Sequence, residues 1–207
     1  MGRRLVVSDV HGEWMRLAQA LRQAGYRPDQ DRLFLLGDYI DRGSDSRGTV
    51  TFVKRLVAGG AVALRGNHDV MPGIVARDPS RLAWWINNGG DTTMRDYDGM
   101  LPPDDVIEWL EHLPLYHEEP DCILVHAGLA PGVPLDQQAE RTLLWAREEF
   151  YRTYRGKLVV FGHTPTILLH ERKEPWAYGD LLGIDTGAIW GGPLTLLDLD
   201  SRETWMA

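Results

Sequence analysis

The residues able to do chemistry in this chain fall in five compact clusters. They are Ser8-Asp9-Val10-His11-Gly12, Gly37-Asp38-Tyr39-Ile40-Asp41-Arg42-Gly43, Gly66-Asn67-His68-Asp69, His126-Ala127-Gly128 and Gly162-His163-Thr164. Asp, Asn and His offer oxygen and imidazole nitrogen without a thiolate, a donor set for hard or borderline divalent cations. The adjoining glycines suit sharp turns and close backbone approach. One such cluster says little, because a lone Asp or His at an element's end is commonly a cap or a satisfied polar group. Five in succession, each following a short apolar run, are much harder to explain by capping.

Those runs are the elements that must position the clusters. Leu5-Val7, Leu33-Leu36, Ala61-Leu64, Ile123-Val125, Leu158-Phe161, Leu181-Ile184 and Leu194-Leu197 are rich in Val, Ile and Leu. Continuous apolar runs of this length predict strands buried on both faces. Between the first runs the period becomes helical. Trp14, Leu17, Ala18 and Leu21 share one face ahead of Gly25, and Val50, Val53, Leu56 and Val57 share another ahead of Gly59-Gly60. This alternation predicts a layered α/β domain, in which loops leaving the carboxyl ends of strands converge on one crevice. Residues 68–118 hold no convincing strand and are expected to be a small helical insertion, cut short by Pro72, Pro79, Pro102-Pro103 and Pro114. The last two runs, joined through Gly187 to Gly192, are expected to pair. No repeat or linker divides the chain, so one domain over 1–207 is expected.

Composition narrows the classes. The 207 residues are 43% hydrophobic and 25% charged, as in an ordinary globular protein with a sizeable core. A formal net charge of -8 argues against non-specific nucleic-acid binding, although a phosphate substrate needs only local positive charge. The single cysteine, Cys122, rules out an intrachain disulfide and fits a reducing compartment; its apolar neighbours predict a buried, inert thiol. No stretch approaches membrane-spanning length and the first apolar run is too short for a signal segment, so a cytoplasmic protein is expected.

Taken in order, the five clusters resemble the phosphoprotein phosphatase family of calcineurin-like metallophosphoesterases. They are most similar to the short bacterial and phage members and to symmetrical diadenosine tetraphosphatases. The motifs run from Asp9 to about Gly192, nearly the whole chain. The resemblance implies a four-layer α/β/β/α sandwich with two divalent metal ions: manganese first, with iron or zinc also compatible. Asp9 and His11 would hold one ion, Asp38 would bridge both, and Asn67, His126 and His163 would hold the second. Two such ions lower the pKa of a shared water and orient phosphoryl oxygens for in-line attack. His68, oriented by Asp41, is the candidate general acid, with a further metal ligand or a structural histidine beside Asn67 as the competing roles. Arg42 and Arg147 are the candidate phosphate clamps; Asn67 would also face the phosphate, and Arg141 competes with Arg147.

Several features depart from the family pattern or lie outside it. Ser8 stands where the family usually has Gly, Asp69 replaces a common Glu, and Ala127 a common Gly. Trp84-Trp85-Ile86-Asn87-Asn88-Gly89-Gly90 is expected to pack the helical region, with the glycines as a helix stop. The alternative is that Asn88 and a tryptophan shape the substrate entrance. Asp185-Thr186-Gly187 and Trp190-Gly191-Gly192 read as a tight turn, and His112, His117 and His170 as surface residues. Among functions, hydrolysis of phosphoserine and phosphothreonine in proteins comes first, and symmetrical cleavage of dinucleoside tetraphosphates second. Other phosphodiesterase or RNA-end chemistry follows, and a catalytically dead binding module comes last because the donor set is intact.

Overall fold

A computed structural model describes residues 2–207. Ten strands form two five-stranded sheets. In chain order they are β1 (Arg4–Val7), β2 (Arg32–Leu35), β3 (Val62–Ala63), β4 (Tyr116–Glu118), β5 (Cys122–Val125), β6 (Leu158–Phe161), β7 (Trp176–Tyr178), β8 (Leu181–Gly183), β9 (Thr195–Asp198) and β10 (Thr204–Met206). The first sheet has the order β10-β9-β1-β2-β3 and the second β4-β5-β6-β8-β7. β1, β2 and β3 run parallel in one sheet, and β5, β6 and β8 in the other; every remaining pairing is antiparallel.

Alternate residues of each central strand face opposite ways, so both faces of each sheet need cover. Between the sheets, Val6, Phe34, Leu36, Leu64 and Leu197 meet Cys122, Leu124, Val160, Leu182 and Ile184 in one apolar layer. Leu5, Val7, Leu33, Leu35 and Leu196 point outward beneath helices α1 (Trp14–Gln23) and α2 (Ser46–Ala58). On the far side, Ile123, Val125, Val159, Phe161 and Leu181 are covered by Leu143 and Phe150. The result is the expected α/β/β/α sandwich.

The segment after β3 is helical, as expected, up to its last residues. It holds α3 (Met71–Arg77), α4 (Leu82–Trp85), α5 (Asp91–Asp96) and α6 (Asp104–Glu111), with Trp85, Met71 and Val75 as a small core of their own. α6 instead sends Leu110 to the core beneath α1 and α2. Three more short helices follow: α7 (Glu140–Trp145), α8 (Glu148–Thr153) and α9 (Ile167–His170).

Two expectations are corrected. The helical stretch ends before 118, because Tyr116–Glu118 is edge strand β4, antiparallel to β5. The last two apolar runs do not pair: β8 lies in the second sheet and β9 in the first. Each instead has its own hairpin neighbour, β7 beside β8 and β10 beside β9, and the intervening segment crosses between sheets. The glycines do stop the first helix, as expected: Gly89, at φ 98°, leaves the helical region and kinks the chain before α5 begins.

Candidate active site

Six parallel strands across the two sheets send their carboxyl ends to one place. β1 delivers Asp9 and His11, β2 delivers Asp38, Asp41 and Arg42, and β3 delivers Asn67 and His68. From the second sheet come His126 after β5, His163 after β6 and Asp185 after β8. The backbone bends sharply there. Asp9, His11, Asp38, Asp41, Arg42 and His163 all have φ between 43° and 71°, a region non-glycine residues enter at a cost and typically hold at functional sites. Two glycines make the crowding possible. A Cβ on Gly66 would lie 2.1 Å from Asp38 Oδ1, and one on Gly162 would lie 2.2 Å from Asp9 Oδ2.

The nitrogen and oxygen donors converge in two groups: His11, Asp38 and His68, and Asp38, His126 and His163, the atoms of each lying within 4.8 Å of one another. Asp38 belongs to both, with Oδ2 3.5 Å from His11 Nε2 and Oδ1 3.5 Å from His126 Nε2. The imidazoles are oriented from behind. Nδ1–H of His11 donates to the Ile40 carbonyl at 2.8 Å and that of His126 to the Leu36 carbonyl at 2.8 Å, which turns each Nε2 lone pair into the site. His126 Nε2 then faces Asn67 Oδ1 at 2.9 Å, an acceptor against an acceptor. His163 Nε2 is buried with no hydrogen-bond partner among the described residues. Three acceptors meeting without a donor are what a cation would satisfy, so this donor set fits a divalent metal. Asp9 lies beside them rather than in either group; its Oδ2 accepts the His163 N–H at 2.9 Å and the Ser8 hydroxyl.

Electrostatics agree. Burial, then the neighbouring Asp9 and Asp69 carboxylates, hold Asp38 well above the usual carboxylate range. Burial likewise pushes His11, His126 and His163 below the ordinary imidazole range, leaving neutral rings with free lone pairs.

Beside this cluster, His68 Nδ1 lies 2.8 Å from Asp41 Oδ2, and both residues are buried. Burial raises Asp41 to about 7, opposed by hydrogen bonds from Thr93 and Trp85. Arg42 Nη1 is 3.1 Å from His11 Nε2, and its guanidinium lies 5.7 Å from the Trp190 ring centroid. Arg147 donates to Thr164 Oγ1 at 2.9 Å. Asp38, Arg42, Asn67, His68, Arg147 and His163 all line one cavity of about 400 Å³, whose other walls include Asn88, Trp145, Leu168 and Trp190. Arg141 lines a neighbouring depression instead.

Some contributors were missed in the sequence. Asp69 accepts three backbone N–H groups, those of Gly66, Asp38 and Tyr39, at 2.8–2.9 Å, and so shapes the loops after β2 and β3. Its place beside Asn67-His68 was the only signal. Ser46, at the start of α2, and Thr93, from the distant α5, cradle the Asp41 backbone N–H, which no local motif announces. Asp185 is buried and driven up by burial and by Asp9, more than the tight turn it was expected to form. Trp85 does pack the helical region, as expected, but its indole N–H also reaches Asp41. His112 is exposed as expected, whereas His117 and His170 are partly buried; His117 bonds Glu119 Oε1 at 2.7 Å. Cys122 is buried as expected, its thiol pushed up to about 11 by burial.

Comparison with known proteins agrees with this geometry. The family model described as calcineurin-like phosphoesterase matches residues 2–182. The chain belongs to that family and is a metal-dependent phosphatase. It is 32% identical to serine/threonine-protein phosphatase 1 of Salmonella typhimurium, covering 92% of this chain and 89% of the relative. It is 36% identical to a symmetrical bis(5'-nucleosyl)-tetraphosphatase of Marinomonas sp., covering 96% and 70%. A crystal structure described as a putative diadenosine tetraphosphatase superposes with a TM-score of 0.76 at 25% identity, over 100% of this chain and 93% of that one. Among the described residues no helix is long and apolar enough to cross a membrane.

Proposed function

We propose that this chain hydrolyses phosphate monoesters on protein serine and threonine side chains, using two divalent cations, manganese first among them. The observation that carries the reading is the double membership of Asp38, whose two oxygens each face a histidine of a different donor group. In this reading Asp9, His11 and Asp38 hold one cation, and Asp38, Asn67, His126 and His163 the other. When bound, the pair supplies activation of the attacking water and offsets phosphoryl charge. Arg42 and Arg147, with Asn67, bind the phosphoryl oxygens from two sides of the cavity. With both ring nitrogens protonated, His68 keeps its Nδ1–H on Asp41 and donates its Nε2–H to the leaving oxygen, which departs as an alcohol and leaves a neutral ring. A cytoplasmic setting accords with a lone, buried cysteine.

Two observations favour protein substrates. Between His126 and His163 the chain has only α7, α8 and the turn Leu135–Gln137, little material to enclose two nucleosides. The Salmonella phosphatase is also covered to 89% of its length, against 70% for the Marinomonas tetraphosphatase. The second reading, symmetrical dinucleoside tetraphosphate hydrolysis, draws on the 36% identity to that enzyme. Purified protein with Mn²⁺ is to be compared on phosphoserine and phosphothreonine peptides, a phosphotyrosine peptide and diadenosine tetraphosphate by kcat/KM. Higher kcat/KM on the phosphopeptides is expected; faster tetraphosphate cleavage reverses the order of the two readings.

A further inference from the structure

The segment from Trp85 to Thr93 touches two of the proposed working groups at once. Trp85 is fully buried against Met71 and Val75, and its indole N–H, the ring's one polar group, spans both oxygens of Asp41 at 2.9 and 3.1 Å. Thr93 Oγ1 donates to Asp41 Oδ1 at 2.6 Å and accepts the Asp41 backbone N–H at 2.9 Å. The Asp41 carboxylate therefore meets three side-chain partners: Trp85, Thr93 and His68. Between Trp85 and Thr93, the Gly89 carbonyl accepts the Arg42 backbone N–H at 3.0 Å and the Asn88 carbonyl accepts Arg42 Nε at 3.2 Å.

The fit leaves no slack. A Cβ on Gly90 would lie 2.4 Å from the Trp85 ring, and one on Gly89 would lie 2.5 Å from Arg42 Cγ. Gly89 sits at φ 98° and kinks the chain between two helices here, a conformation that suits glycine. Asp41 and Arg42 are consecutive left-handed residues, at φ 71° and 70°, and such backbone persists only when its surroundings over-determine it. The bonds from Trp85, Thr93 and Gly89 supply that determination.

We infer that Trp85 and Thr93 are positioning residues: they fix the Asp41 carboxylate against His68, while the same turn fixes Arg42 through the carbonyls of Asn88 and Gly89. The helical insertion thereby sets the distance between proton donor and phosphate clamp. This inference rests on His68 being the proton donor of the proposed reaction. Without the indole and hydroxyl donors, Asp41 can rotate away from His68 Nδ1, and the imidazole loses the bond that aims its Nε2.

Leaving-group dependence separates positioning from mere packing. p-Nitrophenyl phosphate expels a stabilised phenolate that needs no proton, whereas phosphoserine expels an alkoxide that does. The Mn²⁺-loaded full chain is to be assayed on p-nitrophenyl phosphate and on a phosphoserine peptide as wild type, Trp85→Phe, Thr93→Val, Thr93→Ser and His68→Asn. Trp85→Phe and Thr93→Val are expected to lower kcat on the peptide about tenfold or more. On p-nitrophenyl phosphate the same variants stay within about twofold, with KM and metal content unchanged. Thr93→Ser, which keeps the hydroxyl, stays near wild type. An equal fall on both substrates, or none, overturns the inference. Should Trp85→Phe fail to fold, the near-isosteric Thr93 variants decide alone. His68→Asn tells the two failures apart. If it shows the peptide-selective loss and the others do not, only the positioning role falls; if it shows none, the proton-donor reading falls and this inference with it.

Discussion

At the scale of single residues, the site depends most on Asp38. Among the described residues its carboxylate is the one group shared by both donor clusters, and its backbone and side chain are themselves held by Asp69 and by the His68 N–H. Asp38→Asn keeps the shape but replaces one anionic oxygen with an NH₂ that cannot face a cation. Its metal content is expected to fall for both ions, and kcat/KM by more than about a hundredfold, beyond what losing an outer-shell partner costs. Metal analysis beside the assay checks this, and full activity in the variant would end the two-cation scheme. His68→Asn makes the opposite prediction for metal. It should retain both ions while losing roughly 10²–10⁴ in kcat on the phosphoserine peptide, the usual worth of a general acid. Loss of metal in that variant would make His68 a ligand, a role its closeness to His11 and Asp38 permits.

At the scale of elements, the loops after β1 and β6 pass each other with no room for a methyl group. A Cβ on Gly162 would meet Ser8 Oγ and Asp9 Oδ2. Gly162→Ala should therefore cost about 1–3 kcal/mol by overpacking and push Asp9 off the His163 N–H. Thermal denaturation and metal affinity would both register it, and an unchanged melting temperature would show that the loops can yield. The central strands and their loops were legible because buried parallel strands leave continuous apolar runs and their ends carry the chemistry. β4, β7 and β10 were not: they are three-residue edge strands such as Tyr116-His117-Glu118, whose pairing is decided by a neighbour rather than by their own pattern. The expected pairing of the last two runs failed for a related reason. Apolar runs look the same whether their partner is next in sequence or in the other sheet, and Thr186 and Thr195, whose hydroxyls bond at 2.7 Å, carry no marker of the crossing. The converging Asp, Asn and His donors follow local motifs, whereas Trp85 and Thr93 reach Asp41 across 44 and 52 residues, and only folding brings them there.

At the scale of the molecule, the two sheets are joined by an apolar layer whose open end, opposite the site, is closed by arginine–carboxylate pairs. Arg4 opens β1 and binds Asp121, just ahead of β5, at 2.5 and 2.8 Å; Arg32 opens β2 and grips Glu119 with two bonds at 2.5 and 2.6 Å. Glu119 is buried while Arg32 remains half exposed, so the pair is screened on one side only. Each carboxyl is held below its ordinary range by its arginine: Glu119 by Arg32, Asp121 by Arg4 down to about 2, and Asp31 near the same rim by Arg3. Groups with depressed folded pKa values stabilise the fold fully above their unfolded values, near 4, and lose that contribution as pH falls through the folded ones. Stability should therefore decline from about pH 5 toward pH 2, with the sheet–sheet rim as one source. Glu119→Gln removes a titrating partner. At pH 7 it is expected to cost on the order of 1 kcal/mol, given the exposure of Arg32, which for a chain of this length is roughly 2–4 °C in Tm. Its decline in Tm between pH 5 and pH 3 should be shallower than that of wild type, so the two curves approach one another in acid. Phosphatase activity at pH 7 should be unchanged, because the rim lies at the far end of the strands from Asp38. Parallel melting curves would mean that the pair adds nothing to folding, and a loss of activity would mean that the sheets transmit strain along their length.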